Sequence, residues 1–316
     1  MSDAAGHAPI LTVTVNPALD VTTSVDRVVA EHKMRCGSTR LDPGGGGINV
    51  SRAIRNLGGI STALYTAGGP TGQAYRQLLE QDGITARAIR IAESTRESFT
   101  VDELSTGEQF RFVLQGPQFA EQEWRALLTA VEEELPHGGY VVASGSIPPG
   151  VPADFYARIA HLAASRDAHA IIDSSGASLR AALDEGVHLV APSRRELAEL
   201  VSADLDDLDA QIGAAQQLIA DGRSSLVALT LGGAGAVMVS SEAVVRLPAA
   251  AVTVRSTVGA GDAFLAGLVL RLAQGHAVAE AFRTAVAAGA ATAALPGTAL
   301  CDAESVARLE HELDAA

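Results

Sequence analysis

The chain has 316 residues, 47% of them hydrophobic, and its 23 basic and 37 acidic side chains give a net charge of −14. That apolar content can fill a sizeable core, so wholesale disorder is ruled out, and the length suits one large α/β domain or two modest ones. The acidic balance leaves no general positive field to neutralise nucleic-acid phosphates.

The acid excess is uneven: residues 1–120 hold 11 basic and 12 acidic side chains, whereas residues 121–316 hold 12 and 25. Cations that meet an anionic small ligand are therefore expected in the first third. Two cysteines, Cys36 and Cys301, can build neither a disulfide framework nor a zinc-type spacing, which points to a reducing, cytoplasmic compartment. Residues 1–9 lack the pattern of a signal peptide, and the apolar stretch 285–296 is short of the roughly 20 residues of a membrane span. No membrane partner is expected.

A β-rich run at 10–15 ends at the turn signal Asn16-Pro17. Runs at 21–29 and 34–41 flank the polar tip Glu31-His32-Lys33 and predict a hairpin apart from the main sheet. After four glycines, 48–57 has helical apolar spacing and stops at Gly58-Gly59. Strand 62–66, helix 71–81 and strand 86–91 follow, then a second hairpin at 98–103 and 109–113. From 121 the alternation is steadier: helix 121–135, strand 140–143, helix 153–165, strand 170–172, helix 178–184, strand 188–190. Helices 194–201 and 207–220 precede strand 226–229. Repeated strand–helix units imply a parallel sheet covered on both faces. Runs 236–239 and 243–247 read as antiparallel strands, and Ala-rich helices near 262–274, 278–294 and 303–313 close the chain. One α/β domain over 1–316, with a small β lid from excursions at about 20–41 and 96–113, accounts for this pattern.

The strongest chemical signal is Ser256-Thr257-Val258-Gly259-Ala260-Gly261-Asp262, ahead of an apolar helix. Its glycines allow a sharp turn and close backbone approach, aiming amides at an anion near a helix N-terminus. A carboxylate in the first helical turn could accept a hydroxyl proton while amides hold a transferring phosphoryl group. The helix dipole is expected to keep Asp262 ionised and therefore a weak base. A plain helix cap after a glycine turn explains the segment equally well by itself. Gly44 to Gly47, followed by Ile48 and Asn49, could bring backbone close to a sugar, with Asn49 as donor and acceptor. It is neither a Walker A loop nor a dinucleotide fingerprint, and alone it reads more simply as a flexible loop. Thr230-Leu231-Gly232-Gly233-Ala234-Gly235 suits the wall of a nucleotide site or an ordinary hairpin turn.

Together Gly44 to Asn49, Pro192-Ser193-Arg194-Arg195-Glu196 and Val258 to Asp262 resemble the PfkB family of ribokinase-like carbohydrate kinases, from about Ile10 to Leu309. The resemblance implies a mostly parallel central sheet flanked by helices, a β lid, and ATP with Mg²⁺ as cofactors. It also implies phosphoryl transfer to a sugar phosphate. Asn16-Pro17-Ala18-Leu19-Asp20, Ser144 to Gly150 and Asp173-Ser174-Ser175-Gly176 resemble members acting on fructose 6-phosphate. Members that use fructose 1-phosphate or tagatose 6-phosphate usually carry a lysine in the glycine loop, which this chain lacks. A non-catalytic sugar-phosphate sensor on the same fold is the reading from another class.

Carried over position by position, Asp262 would be the catalytic base and the amides of Gly259, Ala260 and Gly261 the anion hole. Asp20, Gly45, Gly46 and Asn49 would hold sugar hydroxyls. Arg96 would bind the acceptor's phosphate through its planar fork, although alone it reads as a solvated lid residue. Lys33, the only lysine, lies where the family places a lid cation, and Thr230, Gly232 and Gly235 would wall the nucleotide. The family's middle motif, Lys-Pro-Asn-x-x-Glu, here reads Ala191-Pro192-Ser193-Arg194-Arg195-Glu196. Glu196 would orient Mg²⁺. Ser193 is a shorter ligand than Asn, and Arg195 would replace part of the charge lost with Ala191. The resemblance also implies K⁺ on backbone carbonyls near 256–258 and 296–299. Unpaired lid edges are costly to expose, so a homodimer joined through the lid is expected.

Overall fold

The computed structural model describes residues 6–314. The first strand, β1 (Ile10–Thr14), leads into β2 (Ala18–Val25) and β3 (Arg40–Gly44), then into helix α1 (Gly46–Asn56). Next come β4 (Thr62–Ala67), α2 (Gly69–Gln81), β5 (Ala86–Arg90), β6 (Arg96–Glu103) and β7 (Gln109–Val113). The middle of the chain alternates α3 (Glu121–Glu134), β8 (Tyr140–Ser144), α4 (Phe155–Ala164), β9 (His169–Asp173), α5 (Gly176–Glu185) and β10 (Val187–Val190). Helices α6 (Arg194–Val201) and α7 (Leu208–Ala220) precede β11 (Ser224–Thr230), β12 (Ala236–Ser240) and β13 (Val244–Leu247). Three helices finish the chain: α8 (Ala260–Ala273), α9 (Val278–Ala293) and α10 (Ala303–Asp314).

The main sheet has nine strands in the order β13-β12-β11-β10-β9-β8-β1-β4-β5. Pairings from β5 through to β11 are parallel, and only β12 and β13 run against their neighbours. Both faces are buried, which is why the strands read as continuous apolar runs. Leu11 and Val13 pack with Trp124 and Phe155 on one face, while Ile10 and Val142 pack with Phe264 and Phe282 on the other. On that second face α8 and α9 meet through small residues. A Cβ on Gly267 would lie 3.0 Å from the Thr284 carbonyl oxygen and 3.2 Å from the Ala288 Cβ. The alanine-rich sequence thus lets the two axes approach closely.

The second sheet has the order β3-β2-β6-β7, with β2 and β6 parallel. Its register aligns Asp42 with Asp20, Arg40 with Thr22, Ala18 with Arg96, and Thr100 with Arg111. Strand alternation therefore gathers Arg40, Asp42, Asp20, Arg96 and Arg111 on one face. Leu41, Val21, Phe99 and Phe112, also mutual register partners, share the other.

The strands predicted at 21–29 and 34–41 lie instead at Ala18–Val25 and Arg40–Gly44, and residues 26–39 form an exposed loop. The Val28 amide donates to the Glu103 carboxylate at 2.6 Å, and Leu104 and Ser105 donate to the Val25 and Asp26 carbonyls. These bonds draw the chain across the β6–β7 turn and off the strand line. Among the described residues, no helix is long and apolar enough to cross a membrane.

Candidate active site

Strand β1 lies between β4 and β8; the connection after β1 runs one way, to β4, and the connection after β8 runs the other, to β9, which opens a crevice at the strands' carboxyl ends. Asn16, Ser144 and Asp173 stand at or just beyond those ends, and α1 and α8 bring their N-termini to the same place. Asn49 of α1 donates its Nδ2 hydrogen to Asp262 Oδ2 of α8 at 2.9 Å. Gly44 makes room for Asp20: a Cβ there would fall 2.0 Å from the Asp20 Oδ2. Gly259, at φ 75°, turns the backbone into α8 in a conformation that disfavours a side chain. The amides of Gly259 and Gly261 donate to no protein group among the described residues, whereas that of Ala260 has a long 3.3 Å bond to the Thr257 carbonyl. The predicted row of three amides is therefore two free donors and one partly engaged.

The carboxylates of the crevice are electrostatically unusual. Asp262 keeps some contact with solvent through the cleft but is ringed by protein, and this desolvation raises its pKa to about 7. The negative charge of Asp173 pushes in the same direction, while the Asn49 hydrogen bond and distant Arg111 pull it back. Asp262 is therefore a stronger base than the helix-dipole argument predicts, because loss of water outweighs the dipole. Burial likewise raises Asp173 to about 6, opposed by a 2.8 Å hydrogen bond from the Ser144 hydroxyl. Asp20 also rises to about 6 through burial, opposed first by Arg111 and then by Arg96.

Asp173, Ser144 and Arg111 were not among the predicted site residues. Two signals could have found them. Ser144 and Asp173 are polar residues ending buried strands, where open parallel sheets place ligands. Arg111 alternates onto the face of the second sheet that carries Asp20.

Arg96 is half-buried. Its Nη1 and Nη2 groups donate to the carbonyls of Leu114 and Asn16, at 3.2 and 3.1 Å, and its Nε has no partner. Behind the amide turn lies an apolar cavity of ≈ 520 Å³, lined in part by Thr230, Gly232, Gly235, Ala260, Gly261 and Phe264. It joins the predicted nucleotide wall to the start of α8. A larger groove of ≈ 620 Å³ between α3, α4 and α5 shares no residue with it.

Two expectations require correction. Arg195 points away from the cavity, 89% exposed and paired with Glu199 at 2.9 Å, so it restores none of the charge lost at Ala191. Ser193 spends its side chain on the N-terminus of α6, donating to Glu196 Oε2 at 2.7 Å and accepting from the Glu196 amide at 3.3 Å. It is a helix cap, though a short bridge to Thr230 keeps it near the cavity. Lys33 lies in the exposed loop 26–39 and has no hydrogen bond or ion pair among the described residues.

Comparison with known proteins places the chain in a family. Residues 14–305 match the pfkB family carbohydrate kinase pattern. The chain is 45% identical over 303 residues to the ATP-dependent 6-phosphofructokinase isozyme 2 of Mycobacterium tuberculosis (strain ATCC 25618 / H37Rv), covering 96% of this chain and 89% of that protein. It is 38% identical over 301 residues to the isozyme 2 of Escherichia coli (strain K12), covering 95% and 97%. Its fold matches the crystal structure of phosphofructokinase-2 from Escherichia coli in complex with potassium, with a TM-score of 0.94 at 37% identity, over 97% of this chain and 99% of that one. The chain belongs to the pfkB family of carbohydrate kinases.

Proposed function

We propose that this chain transfers the γ-phosphoryl group of ATP to the primary hydroxyl of fructose 6-phosphate, giving fructose 1,6-bisphosphate. The reading rests chiefly on one observation. A desolvated carboxylate anchored by Asn49 stands at the turn whose free amides divide an apolar cavity from a cationic, carboxylate-bearing sheet face. Asp262 takes the proton of the acceptor hydroxyl, whose oxygen attacks the γ-phosphorus in line, and a pKa near 7 suits that role at neutral pH. The amides of Gly259 and Gly261 face the charge that grows on the transferred group. Asp20, Gly45, Gly46 and Asn49 orient the sugar, while Arg96 and Arg111 offset its phosphate.

Asp173 and Glu196 fit a hydrated Mg²⁺. They lie close enough for the charge of Glu196 to raise the pKa of Asp173. Glu196 Oε1 has no protein partner among the described residues, and Mg²⁺ that keeps its waters needs only one or two carboxylates besides the phosphates. Bound there, the ion would supply charge neutralisation on the phosphates. The carbonyls of Ser256 and Thr298, which accept no hydrogen bond among the described residues, are available to K⁺. Free Cys36 and Cys301 fit a cytoplasmic setting.

The outer face of the second sheet supports a homodimer. Leu41 and Phe112 are 44% and 53% exposed and in line with Val21 and Phe99, an apolar strip beside open strand edges. A single-chain mass in solution at micromolar concentration would contradict that assembly; twice the mass is expected. Asp262→Asn is expected to lower kcat by roughly 10²–10⁴ in an ADP-release assay, the usual worth of a positioned base. Near-normal turnover would remove Asp262 from the mechanism. Arg96→Ala is expected to raise the KM of fructose 6-phosphate by roughly 10–100-fold with a smaller change in kcat. An unchanged acceptor KM would mean that Arg96 does not hold the phosphate.

A further inference from the structure

A buried ionic knot connects the second sheet to the amide turn. Asp42 of β3 is only 6% exposed. Its Oδ2 accepts the Thr298 hydroxyl at 2.7 Å and faces Arg40 Nε at 2.7 Å, while its Oδ1 accepts Arg40 Nη2 at 2.9 Å. Arg52 of α1 stands 3.6 Å from that Oδ1 and is held in turn by Asp82 at 2.8 Å. A carboxylate this buried needs such partners, and here they come from its own strand, from α1 and from the loop between α9 and α10.

That last loop reaches further. Two residues beyond Thr298, Leu300 packs against the amide turn: a Cβ on Gly259 would lie 2.8 Å from its Cδ2. Cys301 is pinned on both sides, its amide to the Thr292 hydroxyl at 3.0 Å and its carbonyl to Asn56 of α1 at 3.0 Å. Gly297 lies against β2, its Cα side 3.7 Å from the Thr22 Cγ2 at the Cβ position. One short segment therefore touches the second sheet with Gly297 and Thr298 and the Gly259 turn with Leu300.

We infer that Asp42 and Thr298 are positioning residues for phosphoryl transfer. Their hydrogen bond ties β3 to the loop that seats Gly259, so the free amides are correctly set only while the second sheet covers the crevice. The inference rests on the kinase reading above and deepens it, because it couples acceptor-side closure to the groups that face the transferred phosphoryl. Without the tie, the amide turn would be in place with the crevice open, and water would compete with the sugar hydroxyl for the γ-phosphorus.

The test compares Thr298→Val, which keeps the shape but loses the hydroxyl, with Thr298→Ser, which keeps the hydroxyl. ADP released is measured against fructose 1,6-bisphosphate formed, with Mg-ATP and fructose 6-phosphate. Wild type and Thr298→Ser should release one ADP per product. Thr298→Val should release about two or more, with the acceptor KM raised about tenfold. This ratio is independent of the fraction of protein folded, so a loss of stability cannot imitate it. A ratio of one and an unchanged acceptor KM in Thr298→Val would overturn the inference whether or not Tm falls, leaving the pair a structural contact. Failure of the wild-type protein to phosphorylate fructose 6-phosphate would instead overturn the kinase reading beneath it.

Discussion

The hydrogen bond between Asn49 and Asp262 spans 213 residues of sequence and holds two helix N-termini together. Each helix starts after a glycine turn, α1 after Gly45 and α8 after Gly259. Bringing both into one crevice supplies backbone donors without side chains in the way, and it draws a carboxylate out of bulk water. Two opposing fields then act on Asp262. The start of α8 favours its charge, while burial and the neighbouring carboxylates Asp173 and Asp20 disfavour it. Burial is the larger effect, so the group is poised to take a proton near neutrality.

The two sides of the crevice differ in chemistry. The cavity behind the amide turn is walled largely by Gly, Ala and Val and carries no charged residue, so it offers a ligand shape and backbone contacts. The opposite side carries the cations, with Arg96 and Arg111 beside Asp20 and Arg40 and Arg52 around Asp42. This agrees with the near-neutral first third of an otherwise acidic chain. The steeply acidic remainder keeps its charge on the outer helices, where exposed pairs such as Arg308 with Glu312 contribute little to stability.

Most of the architecture could be read from the residues. Apolar runs alternating with helical spacing mark the parallel sheet, and the glycine-rich segments before α1 and α8 mark the crevice. Other features depended on contacts distant in sequence. Nothing local to Val28 announces that Glu103 will take its amide and end β2 early. Arg195 and Arg194 are adjacent cations, and only the helix phase of α6 shows that Arg195 turns outward to Glu199. Ser193 precedes Glu196 by three residues, a capping-box spacing that could have been recognised from sequence. The basicity of Asp262 is not legible locally, because the dipole belongs to one helix, whereas its desolvation is built by several elements.

The assembled crevice, rather than the local helix, sets the proton affinity of Asp262. Carboxyl ¹³C NMR on protein labelled at aspartate, with the signal assigned by its absence in Asp262→Asn, measures this directly across pH. A titration midpoint at about 7 is expected for Asp262 in the ligand-free protein. A midpoint near 4, the ordinary range of an exposed aspartate, would contradict it.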